Sequence, residues 1–363
     1  MERKVEKMRV QHASMIGTLS IAIASGIVGI ALMGQPTARA SSAAAEPEKT
    51  SVARTPWGAP DLEGIWGVGY IFTPLERAKE HAGKEFLTDE DVAALEKEHT
   101  ARTSGDGTAG RARGERGSVA DVEGAYNQAF SAFGKHERVI RTKRTSLIVD
   151  PPDGRIPPLT PEGEKRAAEL RRINTSEFGP AGRADDPEER RSDRCIGTTL
   201  PFVKGVGAGF RRIVQSSNAV AMFDEDGHVG GAFRIIPIGK VEPLPSKVRQ
   251  WLGDSRGRWE GDTLVVEVTN FTDKTNFQGS AENLHLTERY TRMGPDLLML
   301  RITVEDPTTF TKPWTIELPL TKADEKANQI YESSCHEGNY AMTGILAGAR
   351  ALEKEKRGAQ RSR

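Results

Sequence analysis

From Phe210 onward, apolar and polar residues alternate in short runs separated by turn-forming residues. "FRRIVQSS", "NAVAMFDED", "GAFRIIPI", "DTLVVEVTNF", "LHLTERYTRM", "DLLMLRITVED", "PWTIELPL" and "QIYESSC" each carry the period-2 pattern of a half-buried strand. The breaks between them, "DEDGH", "WEGDT" and "RMGPD", are short and rich in Gly, Asp and Pro, which favours hairpins over crossover helices. A row of hairpin-joined strands must hide its two edges. The expected fold is therefore mainly β: an antiparallel meander closing into a lipocalin-like barrel or sandwich, with a few short helices and long loops.

Before Cys195 the pattern is different. "TDEDVAALEKEH" places Thr88 as a cap ahead of an acidic first turn, with Val92, Ala94 and Leu95 on one side, and so predicts a helix. "TARTSGDGTAGRARGERGSVAD" has no apolar period and reads as an exposed loop. "RVIRTKRTSLIVD" is rich in β-branched residues and stops at the "PPDGRIPP" turn. "LTPEGEKRAAELRRIN" is a second helix with Thr160 as cap and Pro161 in its first position, and "GPAGRADDPEERRSD" is again loop. "AMTGILAGARALEKEK" predicts a closing helix or cap.

The chain ahead of the fold carries an address. Arg3, Lys4, Lys7 and Arg9 precede an apolar run from Met15 to Met33, and "PTARA" offers a cleavage point after Ala40. That is the order of a secretory signal peptide over residues 1–40, with an uncleaved membrane anchor as the alternative. Residues 41–55 read as a linker and 56–350 as a single β-rich domain. Helical and loop insertions are expected at 86–135 and 160–194, and a charged tail at 351–363. A bacterial periplasmic or secreted location follows, with no membrane as partner once the leader is removed.

Composition narrows the partners. The 363 residues contain 51 basic and 51 acidic side chains, so net charge suggests neither nucleic acid nor an anionic membrane. The two cysteines, Cys195 and Cys335, are a natural disulfide pair in an oxidising compartment. No Walker loop or dinucleotide-binding glycine pattern is present, and "KGVGAGF" defines no phosphate cradle, so no cofactor is expected. A small-molecule substrate or ligand remains.

Three stretches could carry chemistry. An extended "GDSRGRWEGD" puts Asp254, Arg256, Arg258, Glu260 and Asp262 on one face, opposite Ser255, Gly257 and Trp259. The row is either a solvated charge ladder or a source of arginines that hold a carboxylate or carbonyl in a barrel mouth. On "ENLHLTERYTR", His285, Thr287, Arg289 and Thr291 share a face opposite Leu284, Leu286, Glu288 and Tyr290. His285 is an acid/base candidate if that polar face turns inward and a surface residue if it does not. "CHEGNY" offers His336 as base, Glu337 to orient it, Asn339 to hold substrate and Tyr340 as proton donor, against a plain hydrogen-bonded strand end. Asn283 and Asp254 complete the substrate-binding candidates. A metal would need His285, His336, Glu282 and Glu337 to meet in space.

"RTSLIVDPPDGRIPPLTPEG", "WLGDSRGRWEGDTLVVEVTNFTDKTNFQGSAENLHLTERYTR", "VEDPTTFTKPWT" and "CHEGNYAMTGILAGAR" resemble a family of exported bacterial proteins called hypothetical, with no established activity. The likeness spans most of the mature chain. The chain departs from that pattern after Cys195, where "GTTLPFVKGVGAGF" replaces a tyrosine- and asparagine-rich segment, which implies a pocket retuned there.

The combined expectation is an exported, cofactor-independent enzyme of lyase or isomerase type, performing elimination, hydration or isomerisation on a small organic or sugar-derived substrate in a β-barrel pocket. The alternatives are a lipocalin-type binding protein for an apolar ligand and a metal-dependent hydrolase.

Overall fold

The computed structural model describes residues 52–68, 73–103, 142–178, 194–197, 199–203, 210–225, 231–275, 277–326, 330, 335–337 and 339–361. The leader, most of the linker, the loop expected after the first helix, the loop before Cys195 and the body of "QIYESSC" lie outside them.

Among the described residues there are ten strands: β1 Gly64–Val68, β2 Ile148–Asp150, β3 Arg211–Gln215, β4 Ala219–Asp224, β5 Ala232–Pro237, β6 Asp254–Glu260, β7 Thr263–Thr269, β8 His285–Arg292, β9 Leu297–Glu305 and β10 Trp314–Lys322. The helices are α1 Asp89–Thr103, α2 Pro161–Phe178 and α3 Ala341–Arg361. Both sequence-read caps form: the Asp91 amide donates to Thr88 Oγ1 at 3.2 Å and the Gly163 amide to Thr160 Oγ1 at 3.0 Å. Helix α3 runs on through residues expected to be a charged tail, where an Arg357–Glu353 pair at 3.2 Å spans one turn.

The expected mainly-β barrel is the fold observed. Nine strands form one nearly closed antiparallel wall in the order β5-β4-β3-β1-β10-β9-β8-β7-β6. Strands β3 to β5 and β7 to β10 are hairpin-joined strands read from the alternation, β6 is the row weighed as an extended charge ladder, and the meander breaks between β5 and β6. Strand β1, from the Gly- and Trp-bearing entry "GIWGV", was not foreseen. It slots between β3 and β10, pairing Trp66 with Arg211 on one side and with Lys322 on the other. Strand β2 takes the rest of the same β10 edge, at Thr315 and Ile316.

Nine is an odd number, and this shapes the barrel. Every neighbouring pair in the row is antiparallel, so β5 and β6 at its two ends run in the same direction. Parallel neighbours need a crossover rather than a hairpin, and residues 238–253 supply one without a helix. The seam is held by a parallel bridge between Ile238 and Gly257, with the Gly239 amide donating to the Gly257 carbonyl at 2.9 Å. Gly257 is what lets the two strands approach. A Cβ there would lie 2.5 Å from Ile238 Cδ1 and 3.0 Å from Ile236 Cγ2. Gly257→Val is therefore expected to destabilise the protein by about 1–3 kcal/mol through overpacking at the seam, measurable by urea unfolding. An unchanged midpoint would mean that the seam yields freely.

The chain that leads into β1 lies across one end of the barrel, bonded to Gln215 on β3 and Arg292 on β8. Trp66, fully buried, lies between the Lys322 ammonium at 5.0 Å and the Arg292 guanidinium at 5.7 Å from its ring centre. Its indole N–H donates to the Leu62 carbonyl at 2.9 Å. Gln215 fastens the entry segment twice, accepting from the Leu62 amide at 2.5 Å and donating to the Pro60 carbonyl at 3.1 Å. Arg292 also donates to the Asp61 carbonyl at 2.5 Å. Apolar burial and satisfied backbone groups together hold this segment in place.

Candidate functional site

Alternation fixes which side chains face the interior. Most are aliphatic: Ile213, Met222, Ile236, Leu264, Val266, Leu286, Leu300 and Ile302 are all buried. Polar residues interrupt this lining, and five of them cluster. They are Arg211 on β3, Asp224 on β4, Arg234 on β5, and Glu288 and Tyr290 on β8, each at most 7% exposed.

These five form one network. Arg211 Nε donates to Asp224 Oδ1 at 2.6 Å, and Arg234 Nη2 to Glu288 Oε2 at 2.5 Å. Both guanidiniums also reach the Tyr290 hydroxyl, Arg211 at 3.3 Å and Arg234 at 3.0 Å, and that hydroxyl donates to Glu288 at 3.1 Å. Arg234 further approaches Ser255 Oγ at 3.3 Å. Because β8 is separated from β5 by β6 and β7 in the wall, the Arg234–Glu288 pair crosses the interior. The network is a strut between opposite sides of the barrel.

Its electrostatics follow from burial. Desolvation disfavours the charged form of Arg211, but Asp224, Tyr290 and Glu288 outweigh it, so this guanidinium holds its proton above the ordinary arginine range. Arg234 behaves the same way, with Glu288 the chief counterweight. Burial pushes the Tyr290 phenol well above its usual value, and the two arginines pull against that shift without cancelling it. Tyr290 is thus a neutral hydrogen-bond donor. Two buried atoms of the network, Asp224 Oδ2 and Arg234 Nε, have no hydrogen-bond partner, and neither has the inward Trp314 Nε1.

No protein-family model, curated protein or solved structure matches this chain. The functional reading therefore rests on the site.

The residues singled out from sequence lie elsewhere. His285 is on the outer face of β8, 40% exposed, with Nε2 2.8 Å from Glu267 Oε2 and Nδ1 3.3 Å from Glu305 Oε2. The polar face of "HLTERY" is the outer one, so the surface alternative for His285 describes its position. Burial raises the Glu267 carboxyl, but hydrogen bonds from His285, Thr287 and Arg258 hold it below the ordinary range. Arg258 pairs with Glu260 and Glu267 in the solvated ladder the sequence allowed. Asp254 is buried and accepts from the Leu244 amide at 2.9 Å, tying down the crossover, while Arg256 pairs with Asp254 at 2.9 Å. Asn283 is exposed and reaches Thr308 Oγ1 at 3.4 Å.

The expected Cys195–Cys335 disulfide is present. Beside it, Asn339 Nδ2 lies 3.4 Å from Cys195 Sγ, whereas His336 and Glu337 are exposed and Tyr340 is 84% exposed. Gly338 lies outside the described residues, as does most of the "KGVGAGF" segment. His285, His336, Glu282 and Glu337 do not come together: among the described residues no group of three or more His, Cys, Asp and Glu could hold a metal ion. A pocket of about 470 Å³ near Arg77, Glu85, Asp153 and Arg155 lies on another part of the molecule. There Arg77 is already engaged by Thr145 and the Pro152 carbonyl.

A second polar hub shapes the turn after β9. Asp306 accepts from Ser280 Oγ, Thr308 Oγ1 and Thr309 Oγ1, each at 2.6 Å, and from the Thr308 amide at 2.9 Å. Burial alone would raise this carboxyl, yet the hydrogen bonds prevail and hold it below its usual value. A depressed folded pKa contributes stability above the unfolded value of about 3.9, and that stability is lost as pH falls through the folded pKa. Asp306→Asn is expected to cost about 1.5–3 kcal/mol near neutrality and to flatten the acid limb of the stability profile. Denaturant melts at pH 7 and pH 3 check both, and an unchanged acid limb would remove Asp306 from the acid response.

Proposed function

We propose that this protein is an exported small-molecule-binding barrel, periplasmic or secreted, that takes its ligand into the interior beside the Arg211–Asp224–Tyr290–Glu288–Arg234 network. The observation that carries this reading is the pair of orphaned polar atoms, Asp224 Oδ2 and Arg234 Nε, inside a wall otherwise lined by aliphatic side chains. Ligand sites commonly combine an apolar lining with a few placed polar groups, and barrels of about this size either fill with side chains or hold one small molecule. The leader-like start of the chain and the disulfide support export.

The test is titration of the mature protein with the apolar fluorophore N-phenyl-1-naphthylamine. Saturable binding of one molecule per chain is expected. It should be lost in Ala232→Trp, which adds bulk to an inward position next to Asp224 while circular dichroism reports the fold. Absence of saturable one-to-one binding by the unaltered protein would defeat the proposal.

A second reading is the cofactor-independent acid/base enzyme, favoured by the convergence of Arg211, Arg234 and Glu288 on one phenol oxygen. In that case Tyr290 is the proton donor and the arginines stabilise negative charge developing on the substrate. Tyr290→Phe would then abolish turnover in a substrate screen while leaving fluorophore binding in place.

A further inference from the structure

Three arginines are buried among the described residues, and they are not treated alike. Arg211 and Arg234 each have a carboxylate within 2.6 Å. Arg77 is 5% exposed and has no carboxylate within ion-pairing distance among the described residues. A charge withdrawn from water without a counter-charge is costly, so its partner is to be sought in the space it faces.

Neutral groups hold this guanidinium in place. Arg77 Nε donates to Thr145 Oγ1 at 3.0 Å and Nη1 to the Pro152 carbonyl at 2.9 Å. The Thr145 hydroxyl spends its own proton on the Lys84 carbonyl at 2.5 Å, which leaves its lone pairs to Arg77. The Arg77 amide donates to the Gly154 carbonyl at 2.8 Å. Gly154 lets the "PPDGRIPP" turn come this close: at φ +68°, a Cβ there would lie 2.4 Å from Ser146 Oγ and 3.1 Å from Arg77 Cβ. The third nitrogen, Nη2, is bonded to no described residue. It is not one of the buried atoms left without a partner, so it keeps accessible surface.

That surface has a ligand-sized space beside it. Arg77 lines the pocket of about 470 Å³, within the range of about 300–1,000 Å³ usual for small-molecule sites. Ala78, Ala82 and Pro152 give the pocket small apolar walls. Its other charged residues are Glu85, Asp153 and Arg155. Glu85 is neutralised by Arg144 at 2.8 Å, whereas the half-buried Arg155 side chain has no ion pair among the described residues. Asp153 accepts from the Arg155 amide at 3.1 Å. Two arginines against one remaining carboxylate leave an excess of one positive charge. A carboxylate monoanion matches that excess, and a phosphate dianion overshoots it.

We infer that this pocket is a second ligand site, outside the barrel interior, which binds a small organic monocarboxylate at Arg77 Nη2 with Arg155 supplying the second positive charge.

The experiment is isothermal titration calorimetry of the mature protein at pH 8 and matched ionic strength, and it does not depend on binding inside the barrel. The probes are acetate, butyrate and gluconate, which share a head group and differ in body, with butyramide as the neutral counterpart and inorganic phosphate as the dianion. At least one carboxylate is expected to bind one-to-one, at least tenfold tighter than butyramide or phosphate. Arg155→Glu reverses a charge on a side chain with no bonds to lose, and is expected to weaken that binding at least tenfold while circular dichroism shows the fold intact. Arg77→Gln is expected to abolish it, but the comparison of probes on the unaltered protein stands even if that variant fails to fold. If no carboxylate binds, if phosphate or butyramide binds as well, or if a folded Arg155→Glu binds unchanged, the inference is overturned.

Discussion

Glu288→Ala is expected to lower stability by about 3–5 kcal/mol, among the largest losses available to a single substitution in this protein. The change removes the carboxylate that lies 2.5 Å from Arg234 and accepts from Tyr290, so a guanidinium is left inside the barrel without its counter-charge. Arg234 cannot escape the penalty by giving up its proton, and its inward position keeps it from water. The informative companion is the double replacement Arg234→Met with Glu288→Leu. Removing both charges together is often neutral, or stabilising by about 1–4 kcal/mol. Chemical denaturation of the three proteins gives the comparison. A double variant as stable as the parent but unable to hold a ligand would show that the network is kept for recognition. A double variant as weak as Glu288→Ala would instead make the strut a structural necessity.

Loss of the disulfide ranks beside it. Cys195 and Cys335 are separated by 140 residues, and the chain-entropy relation gives about 5 kcal/mol for a loop of that size. Measured losses on removing native disulfides are about 2–5 kcal/mol, so Cys195→Ser with Cys335→Ser is expected to lower the thermal midpoint by several degrees or more. The bond joins the segment between α2 and β3 to the segment that precedes α3. On the Cys195 side, the Gly197 carbonyl accepts from the Trp251 indole at 2.9 Å within the crossover, so the effect is expected to spread to the seam. Thermal melts with and without reductant check this, and identical midpoints would mean that the closed loop adds nothing to the folded state.

Much of the wall was legible because alternation reports burial directly. In β9, Leu298, Leu300, Ile302 and Val304 are all inward, which is the pattern of "DLLMLRITVED" read at face value. What alternation does not contain is pairing partner. "GIWGV" has too few residues and too much glycine to declare itself a strand, and its place between β3 and β10 is set by long-range contacts. The odd number of strands and the parallel seam follow from that one insertion.

The site was harder to read, for a related reason. His285, Arg256, Arg258 and His336 stand in polar stretches, where histidines and arginines look available for chemistry. Availability to solvent is what places three of these four outside the barrel interior or at the surface, and Arg256 is claimed by Asp254. The residues of the strut carried a different signal: a charged or phenolic side chain at an inward position of an otherwise apolar alternation. Arg211 precedes Ile213 in this register, Asp224 follows Met222, Arg234 stands between Ala232 and Ile236, and Glu288 and Tyr290 follow Leu286. Each breaks a pattern that desolvation enforces, which marks it as a group with a buried partner. Which partner each one meets depends on barrel closure, and that is not written in any local window.

The parallel seam gives the barrel an axis of mechanical asymmetry. Around most of the circumference, each strand is stitched to two neighbours along its length. Strand β5 is stitched by a full ladder along one side and, among the described residues, meets β6 only through side-chain contacts such as Arg234–Ser255 and the bridge just beyond its end at Ile238. Thermal fluctuations part a wall where the fewest bonds cross it, so the β5 amides that face β6 are expected to exchange with deuterium well ahead of those in β8 and β9. On the proposed binding function, this seam is where the wall of the cask would part for a ligand.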